Sequence, residues 1–199
     1  MKQQGRMLRT LVGAGMLTAV AVILQYIEIS IPIMPSFIKL DFSDLPELLG
    51  SFAYGPLAGV LIALAKNLIH LPVSQSGCIG ELSNFLLGAA FAFTAGIVYK
   101  HHKTKKSALL GGVCASAVMA VISVPVNLFV IYPLYYGIGM PKETILSLYQ
   151  TILPSVNSMF GAISIFNLPF TLVKGLLCTL IAMLIYKPLS PLLKGKANK

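Results

Sequence analysis

KLDFSDLPELLGSFAYGPLAGVLIALAKNLIHL, residues 39–71, opens with Asp41, Asp44 and Glu47, three of only six acids in the chain, and then runs apolar to Leu71. Two readings fit its latter part. Residues 44–71 form either one long helix or a short helix, 44–54, that folds back at Gly55-Pro56 into a second, 56–71. The first piece rises only about 16 Å at 1.5 Å per residue, well short of the roughly 30 Å hydrocarbon core of a bilayer. Proline inside a helix removes a hydrogen bond and clashes with the preceding turn, whereas at the first helical position it costs nothing. The sequence therefore offers a break at Gly55-Pro56, and charge decides whether it is used.

Composition places the chain in a membrane. Its 199 residues are 56% hydrophobic and 11% charged, with a mean hydropathy of +0.84, where soluble domains carry about a quarter charged residues. The first apolar run, Met7 to Ile27, holds Arg9 and lacks a small-residue cleavage site, so it reads as a retained spanning helix. The net charge of +9 does not point to nucleic acid, because no basic stripe is interleaved with aromatics and the cations flank apolar runs. Cys78, Cys114 and Cys178 have no metal-ligand spacing, and neither a disulfide nor a metal site is expected.

Five runs are long enough to span: Met7 to Ile27, Pro56 to Leu71, Leu82 to Tyr99, Ser107 to Tyr132 and Ile163 to Tyr186. If Lys2, Arg6 and Arg9 are cytoplasmic, an even number of crossings must separate them from the Lys100–Lys106 cluster. Four crossings require the break at Gly55-Pro56. The expectation is an all-α integral membrane protein, a single domain of six transmembrane helices (about 7–27, 44–54, 56–71, 82–99, 107–132 and 163–187) with both termini cytoplasmic. Outer loops would be 28–43, 72–81 and 133–162, and 100–106 a cytoplasmic loop. Eleven of the fifteen cations then lie inside: Lys2, Arg6, Arg9, Lys100, Lys103, Lys105, Lys106, Lys187, Lys194, Lys196 and Lys199. All six acids, Glu28, Asp41, Asp44, Glu47, Glu81 and Glu143, lie outside or at outer helix ends. Tyr54, Tyr99 and Tyr186 are assigned to the inner aromatic belt, and Tyr26, Tyr132, Tyr135 and Tyr136 to the outer one.

Small residues recur every four positions at Gly15/Ala19, Gly55/Gly59/Ala63, Gly88/Ala92/Gly96 and Gly112/Ser116/Ala120, a spacing that lets helices approach closely. Packing within the monomer accounts for most of them.

Ionisable groups inside spans are functional candidates by default. Lys66 reads equally as a snorkelling or Glu47-paired lysine and as a ligand contact. Lys174 shares a helix face with Asn167 and Thr171 and reads as a ligand contact. Asn67, Asn84 and Asn127 add hydrogen-bonding groups, Asn127 serving equally to satisfy a backbone kinked by Pro125; His70 reads as interfacial. On the six-helix arrangement these groups define a polar pocket in the outer half. No H-E-x-x-H, G-x-S-x-G or P-loop motif is present, so no catalytic residues are assigned. The inner half is apolar, which suits a solute-capturing protein better than a channel.

With those residues in view, the block LDFSDLPELLGSFAYGPLAGVLIALAKNLIHL (40–71), together with SNFLLGA (83–89), VNLFVIYPLY (126–135) and PFTLVKG (169–175), closely resembles the substrate-binding S components of energy-coupling-factor vitamin importers, especially the riboflavin-specific ones. The resemblance implies a six-helix protein in a prokaryotic plasma membrane, binding riboflavin from outside as cargo and using no cofactor. It also implies a transmembrane coupling subunit, met through small residues at Gly15 and Ala19, and two cytoplasmic ATPases. Alternatives are an S component for another vitamin or flavin derivative, and a self-contained secondary transporter. Family ring contacts on a P-F-N-x-x-K pattern carry over to Thr171 and Lys174, with a further one at Asn127. Thr171 departs from the pattern's asparagine, and Asn167, one turn earlier, is a candidate substitute. Asp44 is expected to cap the second helix with Glu47 in a capping box. That leaves Asp41 and the backbone of Leu40 and Phe42 to meet ligand hydroxyls, with Lys39 closing over them. The 152–166 stretch is a candidate lid.

Overall fold

The computed structural model describes residues 2–193; Lys194, Lys196 and Lys199, counted above, lie outside the described residues. Helix α1 (Lys2–Tyr26) leads into a minimal antiparallel hairpin, β1 (Ile29–Ser30) with β2 (Lys39–Leu40), in which Ile29 faces Leu40 and Ser30 faces Lys39. Then follow α2 (Asp44–Tyr54), α3 (Pro56–His70), α4 (Ile79–His101) and α5 (Lys105–Val126). Among the described residues, five stretches are long and apolar enough to cross a membrane: Met7–Tyr26, Pro56–Val73, Ile79–His101, Lys105–Gly137 and Met159–Pro188.

The chain does break at Gly55-Pro56. Gly55 takes φ +104°, a left-handed conformation that suits glycine, and Pro56 occupies the first position of α3. Doubling back packs α2 against α3, and α2 also touches α1, α4 and the last helix, α9 (Leu168–Leu193), which makes it the central element. Gly59 permits this packing: a Cβ there would lie 2.7 Å from Ser51 Cβ and 2.8 Å from Ala92 Cβ. Hence two of the small-residue rows meet each other, as lipid-embedded helices with no hydrophobic driving force between them require.

Two long helices are interrupted near the end opposite Lys100–Lys106. After Pro125, α5 widens into a π-turn at Asn127–Ile131 and continues as α6 (Tyr132–Gly137). A second π-turn, Ile163–Asn167, joins α8 (Met159–Ala162) to α9 (Leu168–Leu193). Such bulges re-aim side chains without ending the helix.

The expected outer loop 133–162 is not a loop throughout. It includes α6 and α7 (Lys142–Gln150), whose polar KETILSLYQ sequence is too short to register as a span. Ile145 and Tyr149, one turn apart, are buried in an apolar cluster with Tyr132, Met159 and Ile163. The aromatic-belt assignment is corrected for Tyr99, Tyr132 and Tyr186, which are buried. Tyr132 is 1% exposed, and Tyr99 and Tyr186 bond to each other across the interior at 3.1 Å. Tyrosine's polar tip suits an interface, but a partnered hydroxyl serves equally well inside.

Candidate functional site

Where the hairpin, α3, α4, α5 and α9 converge, at the end opposite Lys100–Lys106, they enclose a cavity of about 470 Å³. Its floor is a network of buried charge. Lys174 Nζ lies 3.0 Å from Asp41 Oδ2 and 3.1 Å from Asp44 Oδ2. Lys66, 0% exposed, reaches Asp44 Oδ1 at 3.0 Å, Glu47 Oε1 at 2.6 Å and Ser43 Oγ at 2.5 Å. Asp44 thus bridges two lysines, and Asp41 accepts from both the backbone N–H (2.8 Å) and the hydroxyl of Ser43. Burial alone would raise the Asp41 carboxyl; the charges of Lys174 and Lys66 and the bonds from Ser43 and Lys174 outweigh it and hold the pKa at about 2.

This network overturns the capping box. Ser43 occupies the N-cap position of α2 without making a side-chain cap, and Asp44 and Glu47 turn to the lysines instead. A cap contributes about 1 kcal/mol, whereas an unpaired buried ammonium costs several; the ion pairs win. Of the two readings of Lys66, the structure shows the paired one. Lys174 is paired too, while also facing the cavity.

Among the expected site residues, Lys39, Asp41, Asn84, Asn127, Asn167, Thr171 and Lys174 line the cavity. Three do not. Leu40 is held in the hairpin opposite Ile29, and Phe42 packs on the apolar core beneath. Asn67 turns away, donating to the Ala63 carbonyl at 2.8 Å and accepting from Gln25 Nε2 at 3.1 Å. Lys39 at the rim pairs with Glu28 at 2.5 Å. Asn127 Nδ2 donates to the Ser123 carbonyl at 2.8 Å, so it supports the bulged backbone while facing the cavity.

A family model for the ECF transporter substrate-specific component matches residues 9–186. The chain belongs to this family. It is 35% identical over 186 residues to the riboflavin transporter RibU of Staphylococcus aureus (strain TCH60), covering 94% of this chain and 93% of that protein. It is 26% identical over 187 residues to the riboflavin transporter FmnP of Bacillus subtilis (strain 168), covering 92% and 93%. Among solved structures, the S component of a bacterial ECF transporter superposes with a TM-score of 0.73 at 34% identity, covering 94% of this chain and 98% of that one.

In this substrate-specific component, much of the cavity wall escapes sequence reasoning. Phe37, Ile131, Tyr132, Tyr135 and Phe170 give it an aromatic and apolar side. Gln25 comes from the end of α1, and its buried Oε1 has no hydrogen-bond partner among the described residues. His70 and Glu81 form a pair at 2.9 Å on the opposite wall. Asn167 is fully engaged with two tyrosines. Tyr149 donates to its Oδ1 (2.6 Å), its Nδ2 donates to Tyr132 (2.9 Å), and Tyr132 closes the ring by donating to Tyr149. Tyr132 begins α6, Tyr149 lies on α7 and Asn167 ends the second π-turn, 17 and 18 residues apart, so no local spacing in the sequence marks this ring. The result is an amphipathic cavity whose charges are neutralised internally. Such a site can take a partly polar solute by apolar contact and hydrogen bonds.

Proposed function

We propose that this protein is the riboflavin-binding subunit of an ATP-driven ECF importer, with six membrane-spanning helices, α2 among them, both termini cytoplasmic and the cavity facing outward. Riboflavin is its cargo, and no cofactor takes part. The observation that carries the reading is the cavity: aromatic and apolar walls for a planar ring system, beside amides at Asn84 and Asn127 able to match alternating donors and acceptors. Asp41, Thr171 and Lys174 lie deeper, within reach of hydroxyl groups on a polar tail. Relatives named as riboflavin transporters, sharing almost the whole chain, support the same ligand.

ATP hydrolysis is assigned to two separate ATPases in the cytoplasm, acting through a transmembrane coupling subunit. The face offered to that subunit is on α1. Only 6% of its most apolar stretch is buried, against 33–39% in the other four spans. Gly15 and Ala19 are exposed on α1, and nothing lies within 4 Å of where a Gly15 Cβ would be. The membrane is then the plasma membrane of a prokaryote.

Protein purified in detergent is expected to be yellow from co-purified flavin, and the apo form to quench riboflavin fluorescence stoichiometrically. A colourless preparation without quenching overturns the ligand assignment. Uptake that follows a proton or sodium gradient without co-expressed ATPases overturns the ATP-driven role.

A further inference from the structure

At the Lys100–Lys106 end, remote from the cavity described above, a second cavity of about 620 Å³ lies between α1, the α2–α3 break and the end of α4. Arg9, Lys100 and Lys103 converge on it, and no acid lines it. All six acids are among the described residues, and none of them pairs with these three cations. The Tyr54 ring and the Gly55-Pro56 break form its inner wall. On the α3 side its lining includes Leu57, 68% exposed, and Leu61, one turn further along α3, is exposed as well.

Three unneutralised cations in a pocket at the ends of spanning helices, with apolar side chains running from its mouth toward the middle of the bundle, match the two halves of one molecule. The cations meet a phosphate, and the exposed leucines meet hydrocarbon chains. We propose that this cavity binds the phosphate headgroup of an anionic membrane lipid, whose acyl chains lie along the exposed leucines of α3. Basic pockets between spanning helices take anionic lipid headgroups for these reasons. The site faces the α2–α3 break directly, so lipid there braces the fold-back on which the other cavity depends.

Native mass spectrometry of the full chain, released from micelles containing equal phosphatidylglycerol and phosphatidylcholine, tests this. One phosphatidylglycerol retained per protein is expected. At about 1 kcal/mol per cation, the triple variant Arg9→Gln/Lys100→Gln/Lys103→Gln should bind it on the order of a hundredfold more weakly. Lys105→Gln/Lys106→Gln/Lys187→Gln removes the same charge from outside the pocket and should retain it. Equal losses in both triples mean that net charge alone attracts the lipid, and overturn the site. Equal retention of both lipids overturns it as well, and displacement of phosphatidylglycerol by millimolar inorganic phosphate reassigns the pocket to a free anion. Circular dichroism and gel filtration establish that each variant is folded, independently of any flavin measurement.

Discussion

Lys174 Nζ and Asp41 Oδ2 meet at 3.0 Å across 133 residues of sequence, joining the residue that follows the hairpin to the second turn of α9. The contact sits on the floor of the first cavity, so it serves structure and site together. It also sets a pH dependence. Asp41 in the folded protein titrates near 2, below its usual 3.8. Between these values the unfolded chain binds more protons than the folded one, so the stabilisation is complete above about pH 4 and is lost as pH falls toward 2. Thermal unfolding in detergent should show about 2 kcal/mol less stability across that window, and Asp41→Asn should flatten that part of the profile. An unchanged slope in the variant contradicts the assignment.

Lys66 carries a larger structural load. Removing it leaves Asp44 and Glu47 buried beside too few cations, and Lys66→Ala is expected to cost about 3–5 kcal/mol. Lys39→Ala breaks the rim pair with Glu28 and a long bond to Gln75 (3.5 Å), both screened by solvent, and should cost under about 1 kcal/mol. Pairing Lys66→Met with Glu47→Leu should recover much of the loss, because the partners leave together. Denaturant midpoints compare all three, and a Lys66→Ala protein as stable as Lys39→Ala would show the network to be incidental.

Asn127 and Lys174 separate binding from stability. Asn127→Ala removes an amide facing the cavity and one backbone-supporting bond, so riboflavin affinity should fall roughly tenfold to a hundredfold, given about 1–3 kcal/mol for an unmet polar group. The unfolding temperature should move little. Lys174→Ala is expected to lower both, since it also strands Asp41. Fluorescence titration with parallel thermal scans resolves the two patterns. Wild-type affinity in both variants would remove these residues from the site.

How much of this was legible in the sequence depends on range. The Gly55-Pro56 break was readable because proline and glycine act locally, and charge parity demanded it. The polar residues of α5 and α9 were legible because any polar group in a span stands out against an apolar background. The capping box fails because it is a local pattern, while Asp44's partners, Lys66 and Lys174, lie 22 and 130 residues away and Glu47's, Lys66, lies 19 away. Phe37, Tyr132 and Phe170 could not be picked out, because an aromatic beside a bilayer reads the same whether it faces lipid, headgroups or a cavity.

The Tyr149–Asn167–Tyr132 ring predicts how α7 is held. Burial pushes the Tyr149 phenol well above its ordinary pKa, so it stays a neutral donor. Tyr149→Phe leaves Asn167 Oδ1 and Tyr132 without their partner, at a cost of about 1–3 kcal/mol. The loss falls on the α7 segment, which the ring ties to α9, and not on the transmembrane core. Hydrogen exchange should therefore rise over residues 142–158 while α3 and α4 stay protected. A uniform rise along the chain would mean that the ring stabilises the whole fold and does not latch one segment.

Gly15 and Gly88 test the division between outward and inward small residues. A methyl at Gly88 would sit 2.5 Å from Glu47 Oε2 and 3.2 Å from its carboxyl carbon, pressing on a group already fixed by Lys66. Gly88→Ala should destabilise the isolated protein by about 1–3 kcal/mol, the usual cost of overpacking. Gly15→Leu meets open space, so the isolated protein should keep its unfolding temperature and its riboflavin affinity. It should nevertheless co-purify poorly with a coupling subunit, because a leucine at that position holds the helices apart where close backbone approach is needed. If Gly15→Leu assembles normally, α1 meets its partner by another face; if it unfolds the isolated chain, Gly15 belongs to the monomer's own packing.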